Sequence, residues 1–296
     1  MYYKESPGEK ATKVVIYIIV ILLSASFIYP VLYCLSMSIS DSNVLGGQNL
    51  YLLPRGFSLD SYKYLLSSDK VLKYYINTIY YAGFGTFITL LVTSLVAYPL
   101  SEPVFSAKKF VTVFLVITMF FGGGLVPYYL LIQRLGMMDT VWALVLPGVS
   151  AYNVMIYKTF FRQIPSSLKE AAKIDGAGHF RILFTIILPL SKSLLATMAL
   201  FSIVGHWNSY LSAVLYLRSS DKYPIQMLLR SLLVQLDIKN SDMIGSIGGD
   251  ALMSMMINTR TVKCAGAMIA MIPILCVYPF MQKYFAKGVM VGSVKE

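Results

Sequence analysis

The sequence predicts an all-α membrane protein with about six transmembrane helices. Hydrophobic residues make up 57% of its 296 residues and charged residues only 13%, whereas soluble domains carry about 25% charged residues. A transmembrane helix needs roughly 20 mostly apolar residues. Stretches of that kind, with approximate ends, lie at 14–39, 76–100, 110–133, 141–161, 182–207 and 264–285.

Each apolar stretch has local features that refine this prediction. The first continues through residues 27–33, beyond the roughly 7–15 apolar residues of a signal peptide, so we expect an uncleaved anchor. The fourth carries Asn153 near its middle, and the fifth contains Pro189 and Lys192 near its start. None has an acidic residue near its centre, although ion-coupled transporters usually need one there.

The short loops between the stretches predict the orientation of the chain. Lys108 and Lys109 follow the second stretch, whereas a lone Arg134 follows the third. Because lysine and arginine are enriched on the cytoplasmic side, we expect both termini inside and the long segments 40–75 and 208–263 outside. We therefore expect three parts: an N-terminal anchor helix and outer segment at 1–75, a core transmembrane domain at 76–285 with a cytoplasmic loop at 162–181, and a cytoplasmic tail at 286–296.

The cytoplasmic loop has the pattern of a short helix with a defined end. Two adjacent alanines, Ala171 and Ala172, leave a low surface that another protein can approach closely, and Glu170 offers a carboxylate to a basic partner. Gly176 suits the left-handed conformation that ends a helix, and Gly178 lets the chain turn into the next apolar stretch. Residues at three- and four-residue spacing share a helix face, which here comprises Leu168, Ala171, Ala172 and Asp175.

Four segments carry a resemblance to a known family. The order Glu-Ala-Ala, three residues, Gly, nine residues, Ile-x-Leu-Pro over 170–189 resembles the cytoplasmic coupling loop of ABC-importer permeases. Residues 119–127 look like the third-span signature of permeases for complex sugars, and Trp207-Asn208 follows the fifth span as in maltose-type subunits. Residues 278–295 closely resemble the C-terminal tail of the LplC/YtcP-like carbohydrate permeases. The resemblance covers most of the chain and implies the type I transmembrane fold of these importers.

The resemblance also implies the partners and the location of this chain. It implies a second homologous permease subunit, two ATPase subunits that hold ATP and Mg²⁺, an extracytoplasmic sugar-binding lipoprotein, and surrounding lipid of the bacterial cytoplasmic membrane. It implies that the loop with Glu170, Ala171, Ala172, Asp175, Gly176 and Gly178 contacts the ATPase. The chain itself has no Gly-x4-Gly-Lys-Ser/Thr loop, so we expect no ATP hydrolysis, catalytic residue or cofactor in it.

Other classes of function find little support in the sequence. The net charge is +11, but the basic residues do not form a patch with interleaved aromatic residues, so we expect no nucleic-acid partner. The three cysteines have no Cys-x-x-Cys spacing, and the only histidines are His179 and His206, so we expect free thiols and no metal site. The remaining alternative to an ABC permease is an ion-coupled secondary transporter.

A path for sugar between the two permeases follows from the family resemblance, and the residue types suggest its lining. Sugar sites combine aromatic faces with amides and hydroxyls. An interfacial aromatic belt remains the alternative for the tyrosines, helix contact for the mid-span amide, and close packing or a helix break for the glycines. The absence of unpaired cations near span centres favours a neutral or mildly polar oligosaccharide, of unspecified linkage. The candidates are Asn77, Tyr80, Gly123, Tyr128, Asn153, Trp207 and Asn208.

Overall fold

The computed structural model describes residues 7–45, 53–232, 234, 259–277 and 279. Within these ranges the chain forms helices and no β-strand, which confirms the predicted all-α class; one isolated bridge joins Ser40 and Phe57. The predicted tail at 286–296 lies outside the described residues, as does the motif at 278–295 apart from Pro279. The helices are α1 Pro7–Ser38, α2 Ser42–Leu45, α3 Asp60–Leu66, α4 Asp69–Ser101, α5 Lys108–Phe120, α6 Leu125–Arg134, α7 Trp142–Val145, α8 Ala151–Gln163, α9 Ser166–Ile174, α10 His179–Ile182, α11 Leu188–Leu190, α12 Lys192–Trp207, α13 Tyr210–Tyr216, α14 225–232 and α15 Thr259–Val277.

Three of these helices, α1, α4 and α15, are each long and apolar enough to cross a membrane, and the bent pair from α10 to α12 passes the same test as one broken span. The described residues form two compact units. The first comprises Met1–Asp69 with Leu229–Met271, and the second comprises Lys70–Leu228 with Ile272–Glu296.

The first unit contains the long apolar helix α1. Nearly all of α1 is exposed, with burial only at its C-terminal end, and a helix that is apolar all round and exposed suits a lipid environment. At that end the hydroxyls of Ser38 and Tyr62 lie 2.8 Å apart. The Cys34 Sγ lies 3.9 Å from the Cys264 Sγ of α15, and the three cysteines, all among the described residues, form no disulfide in this structure.

The second unit is built around α4, a helix of 33 residues. The C-terminal part of α4 packs with α8, α10 and α12 in one apolar core. α4 takes part in both sites described below, because its Gly85 contacts His206 and Glu102, directly after its last residue, pairs with Lys169. The buried residues of the core are Ala97, Tyr98, Leu100, Val154, Tyr157, Phe161, Ile164, Ile182, Leu183, Ile187, Leu194 and Met198.

Two predicted spans are interrupted where the sequence has glycine or proline. The stretch 110–133 is two helices, α5 and α6, with residues 121–124 between them. Gly124 has a φ of +81°, a conformation that glycine reaches at no steric cost, so the glycine triplet breaks the helix. The stretch 141–161 is likewise divided by a 3₁₀ turn, Leu146–Gly148. As a result Asn153 lies in the first turn of α8 instead of mid-helix.

The fifth predicted span bends by 83° between α11 and α12. A π-helical turn, Leu183–Ile187, precedes Pro189. Proline has no N–H to donate to the preceding turn, and π turns commonly accommodate such irregularities. The span is therefore a broken helix, whose first part, α10, directly follows the loop at 162–181.

Candidate functional sites

The loop predicted to be cytoplasmic, residues 162–181, contains α9, and the C-terminal end of α9 forms a complete Schellman motif. The Gly176 N–H donates to the Lys173 carbonyl at 3.0 Å, and the Ala177 N–H donates to the Ala172 carbonyl at 2.9 Å. These paired bonds satisfy carbonyls that the helix end would leave free. Gly176 has a φ of +76°, as predicted, whereas Gly178 is extended, with φ −72° and ψ 166°.

The outer face of α9 carries apolar and acidic side chains, and no described part of the chain covers them. Ile174 is 86% exposed and Leu168 43% exposed, and Ala171 between them is exposed as well. These residues succeed one another at three-residue spacing and so lie on one face. Glu170 and Asp175 are also exposed. Sequence reasoning placed Leu168, Ala171 and Asp175 on this face correctly, but it wrongly included Ala172, which packs against the core because it lies on the opposite side of the helix. It also missed Ile174, whose side chain is the most exposed apolar group of this face.

The inner face of α9 is held by a buried ion pair that the sequence did not reveal. The Lys169 Nζ lies 2.7 Å from the Glu102 Oε1, and both side chains are only 8% exposed. The Lys173 Nζ lies 3.9 Å from the other oxygen of the same carboxylate. Ala172, on this face, packs against the apolar core. The sequence did contain a clue to this ion pair. Glu102 follows an apolar stretch almost directly, and an acidic residue that is buried there needs a partner.

A polar cavity of about 420 Å³ brings together two of the predicted pathway residues, Asn153 and Asn208. The Ser150 hydroxyl caps α8 by accepting the Asn153 N–H at 3.2 Å, which fixes the start of the helix. The Asn153 Nδ2 also lies 3.5 Å from the Gly148 carbonyl. Around the cavity stand further small polar residues, namely Ser202, Ser209 and Ser212.

One wall of the cavity depends on His206 and two glycines. The histidine is 5% exposed. A Cβ atom at Gly85 of α4 would lie 2.6 Å from the His206 Nε2, and one at Gly148 would lie 3.0 Å from that atom and 2.7 Å from the Thr89 Oγ1. The 2.6 Å and 2.7 Å distances are too short for a methyl group, so the His206 ring excludes a side chain at Gly85 and the Thr89 hydroxyl excludes one at Gly148. Sequence reasoning considered this histidine only as a metal ligand and missed the contact.

The remaining aromatic candidates lie outside this cavity. Trp207 is 6% exposed, and its ring meets Tyr75 edge-on at 6.4 Å; it lines a separate cavity of about 250 Å³. Tyr80 is 51% exposed and stacks on Phe84 at 5.5 Å. The structure does not test sugar contact at Trp207 or Tyr80, so both contacts stay predictions.

The glycine and tyrosine candidates of the third stretch also stand apart from the cavity. Gly123 lies in the break before α6, where an added Cβ would meet only Pro127, at 3.6 Å. Tyr128 packs its ring edge-on against Tyr216 at 6.2 Å. The geometry of Gly123 matches the helix break considered from the sequence.

Asn77 anchors the segment that follows α13. Its Nδ2 donates to the Asp221 carbonyl at 2.7 Å and to the Tyr223 carbonyl at 3.1 Å. Lys73, one turn earlier on α4, pairs with the Asp221 carboxylate at 2.6 Å. The pairing with Lys73 lowers the pKa of the Asp221 carboxyl. The amide donors of Asn77 are thus occupied by the chain itself.

Asp139 holds the same segment from the other side. Its carboxylate accepts the Lys222 ammonium at 2.7 Å, the Ser219 hydroxyl at 2.7 Å and the Arg218 N–H at 3.0 Å. These donors, Lys222 first, hold the pKa of the Asp139 carboxyl well below its usual range, since each stabilises the charged form. Asp139 adopts a φ of +59°, which is uncommon outside glycine.

No group of three or more histidine, cysteine, aspartate or glutamate side chains that could hold a metal occurs among the residues the structure covers. The groups described at both sites are hydrogen-bonding amides and hydroxyls, an ion pair and apolar side chains.

Comparisons with known proteins agree with this architecture. Residues 66–291 match the family described as binding-protein-dependent transport system inner membrane component. The chain is 38% identical over 281 residues to the polygalacturonan/rhamnogalacturonan transport system permease protein YtcP of Bacillus subtilis (strain 168), covering 95% of this chain and 96% of the relative. It is 38% identical over 274 residues to Protein LplC of the same organism, covering 92% and 91%.

A solved structure resembles the whole fold. It is the crystal structure of a bacterial ABC transporter involved in the import of the acidic polysaccharide alginate. One of its chains superposes with a TM-score of 0.83 at 29% identity, covering 96% of this chain and 99% of that chain.

Proposed function

Because the chain belongs to the family of binding-protein-dependent transport system inner membrane components, we propose that it is a permease subunit whose α9 helix docks on a separate ATPase. The permease moves an oligosaccharide inward across the bacterial cytoplasmic membrane. ATP and Mg²⁺ belong to the ATPase subunits. The partners are a second homologous permease, two ATPase subunits and an extracytoplasmic sugar-binding lipoprotein.

The observation that carries this proposal is the uncovered outer face of α9. An isoleucine that is 86% exposed, flanked by Glu170 and Asp175, is suited to a partner with an apolar pocket and basic rim. The Schellman end at Gly176 gives that face a defined length. The positive loop charges predict that α9 faces the cytoplasm, where ATP is available.

The oligosaccharide assignment rests on relatives and on the polar cavity. The relative at 38% identity is named for polygalacturonan and rhamnogalacturonan, which are polymeric sugars. Amides and hydroxyls around the cavity can exchange hydrogen bonds with sugar hydroxyls. We propose that Asn153 and Asn208 contact the sugar as it passes. The relatives' named substrates include acidic polymers, so a neutral and an acidic sugar both belong in the test.

The test uses the full importer in vesicles, with this chain, the second permease, the ATPase and the binding protein. We expect ATP-driven uptake of a labelled oligogalacturonide or malto-oligosaccharide by the complex, and neither uptake nor ATP hydrolysis by this chain alone. Uptake by the isolated chain, driven by an ion gradient, would instead support the secondary-transporter alternative.

A substitution tests the cavity separately from assembly. Asn153→Leu keeps volume but removes a polar contact, so we expect half-maximal uptake to need about five- to tenfold more sugar, as for a lost hydrogen bond. The control is Tyr152→Leu, because Tyr152 is 61% exposed and does not line this cavity. Equal concentration dependence in the parent and Asn153→Leu would reject sugar contact at this residue.

A further inference from the structure

We propose that the Glu102–Lys169 ion pair is the tether through which α9 moves α4 during transport. Both residues would then be positioning residues that pass movement of the ATPase on to the cavity. This inference rests on the proposed docking of α9. It assigns a role to two residues outside the predicted coupling motif. Glu102 directly follows the last residue of α4 and Lys169 lies in α9, 67 positions further along the chain.

Burial makes this ion pair resistant to separation. Each side chain is only 8% exposed and the two charged atoms lie 2.7 Å apart. Apolar side chains can slide past one another with little loss of contact. Two desolvated charges cannot, because parting them leaves each one buried without its partner. A force on α9 therefore reaches Glu102 before it shears the apolar core.

Two neighbouring contacts also hold the end of α4. The Lys108 Nζ donates to the Glu102 carbonyl at 3.1 Å, which holds the turn after α4. Tyr98, in the last turn of α4, lies with its hydroxyl 3.5 Å from the His179 Nδ1 of α10. The end of α4 is thus attached to α5 and to α10, the helix that follows α9, as well as to α9 itself through the ion pair.

α4 is one continuous helix between the ion pair and the cavity. Gly85 and Glu102 are 17 positions apart, so α4 carries a displacement about 25 Å from the tether to the cavity wall. At that wall Gly85 packs directly against the ring of His206, and His206 lines the cavity with Asn153. Because the His206 ring is tightly packed on both sides, a movement of α4 also moves the ring and with it the wall of the cavity.

The test compares sugar delivered per ATP hydrolysed in the reconstituted importer. Glu102→Gln combined with Lys169→Met removes both charges, and so avoids the lone buried charge that either single change leaves. We expect normal assembly and ATPase activity, but delivery per ATP lower by about fivefold or more, the size of a typical coupling between sites. Lys169→Arg keeps a cation within reach of the carboxylate and should retain most of the parental ratio.

Each outcome of that test has a defined meaning. A parental ratio in the double variant overturns the tether. If Gly176→Val uncouples the importer while the double variant does not, the docking of α9 stands and only the tether fails. If Gly176→Val also has the parental ratio, the proposed docking itself fails.

If the double variant does not assemble, a distance measurement on the importer without these two substitutions tests the tether instead. Spin labels at Ser166 of α9 and Val104 beyond α4 report on the two tethered elements; both positions are exposed. The chain's own cysteines are first replaced by serine. We expect the same label-to-label distance in the nucleotide-free and ATP-bound importer, because the elements move as one body. A distance that changes between these states overturns the proposal.

Discussion

Two glycines in the loop at 162–181 test whether the backbone conformation of that loop determines how well ATP hydrolysis is coupled to transport. Gly176 has a φ of +76°, whereas Gly178 has a φ of −72°. Both are exposed, and a Cβ added at either would meet no atom of the described residues within 4 Å. Valine at these positions therefore differs only in backbone strain, which makes Gly178→Val a matched control for Gly176→Val.

The size of the effect follows from that strain. Placing an L residue in the left-handed conformation costs about 1–2 kcal/mol, and a β-branched side chain stands at the upper end. The population of the ordered helix end then falls relative to other states by about 5- to 30-fold. Two hydrogen bonds, donated by Gly176 and Ala177, are lost when that end opens. Valine at Gly178 prefers the extended conformation already present there.

The assay is oligosaccharide uptake per ATP hydrolysed by the complete importer in vesicles. We expect Gly176→Val to lower this ratio severalfold while the permease still inserts and assembles. Gly178→Val should stay close to the parent. Gly176→Asn should fall between them, because asparagine tolerates the left-handed conformation. Equal ratios for the two valine variants would refute the reasoning from backbone conformation.

Three further predictions concern topology, packing and pH. Single cysteines at Lys173 and Ser220, in a cysteine-free background, should react from opposite membrane faces, and labelling from one face would contradict the orientation. Gly85→Ala should lower the midpoint of thermal unfolding through overpacking worth about 1–3 kcal/mol, whereas Gly83→Ala, with no atom near the new methyl, should not. The depressed pKa of Asp139 adds stability above the unfolded value of about 3.9 and loses it as pH falls through the folded pKa. Asp139→Asn should therefore unfold at a lower temperature at pH 7, and differential scanning fluorimetry should show this difference shrinking in acid.

Features set by neighbours along the chain were predictable from the sequence. The apolar composition and stretches of about 20 residues identify an all-helical membrane protein. The left-handed Gly176 follows from a glycine just after a run of good helix formers. The family resemblance is carried by such local motifs, so it too could be recognised in the sequence alone. These features depend on residues within a few turns of one another.

The helix breaks within the predicted spans could be predicted only in part from the sequence. Hydropathy counts apolar residues over a window and is insensitive to where a helix breaks, so it treated 110–133 as one span. The glycine triplet was recognised as a possible break, yet only the structure separates α5 from α6. The 83° bend after Pro189 likewise depends on the neighbouring helices, which supply the contacts that a bent helix needs.

Contacts between residues far apart in the sequence needed the tertiary structure. The pairing of Lys169 with Glu102 and the meeting of Asn153 with Asn208 each join segments separated by more than 50 positions. In the sequence, Lys169 looked like any solvated residue of a loop helix. Its burial is decided by the packing of α9 on the end of α4, and helix propensity and periodicity contain no information about that packing. The physical reason is that secondary structure arises from local bonds, whereas the positions of charges and cavities arise from how whole helices fit together.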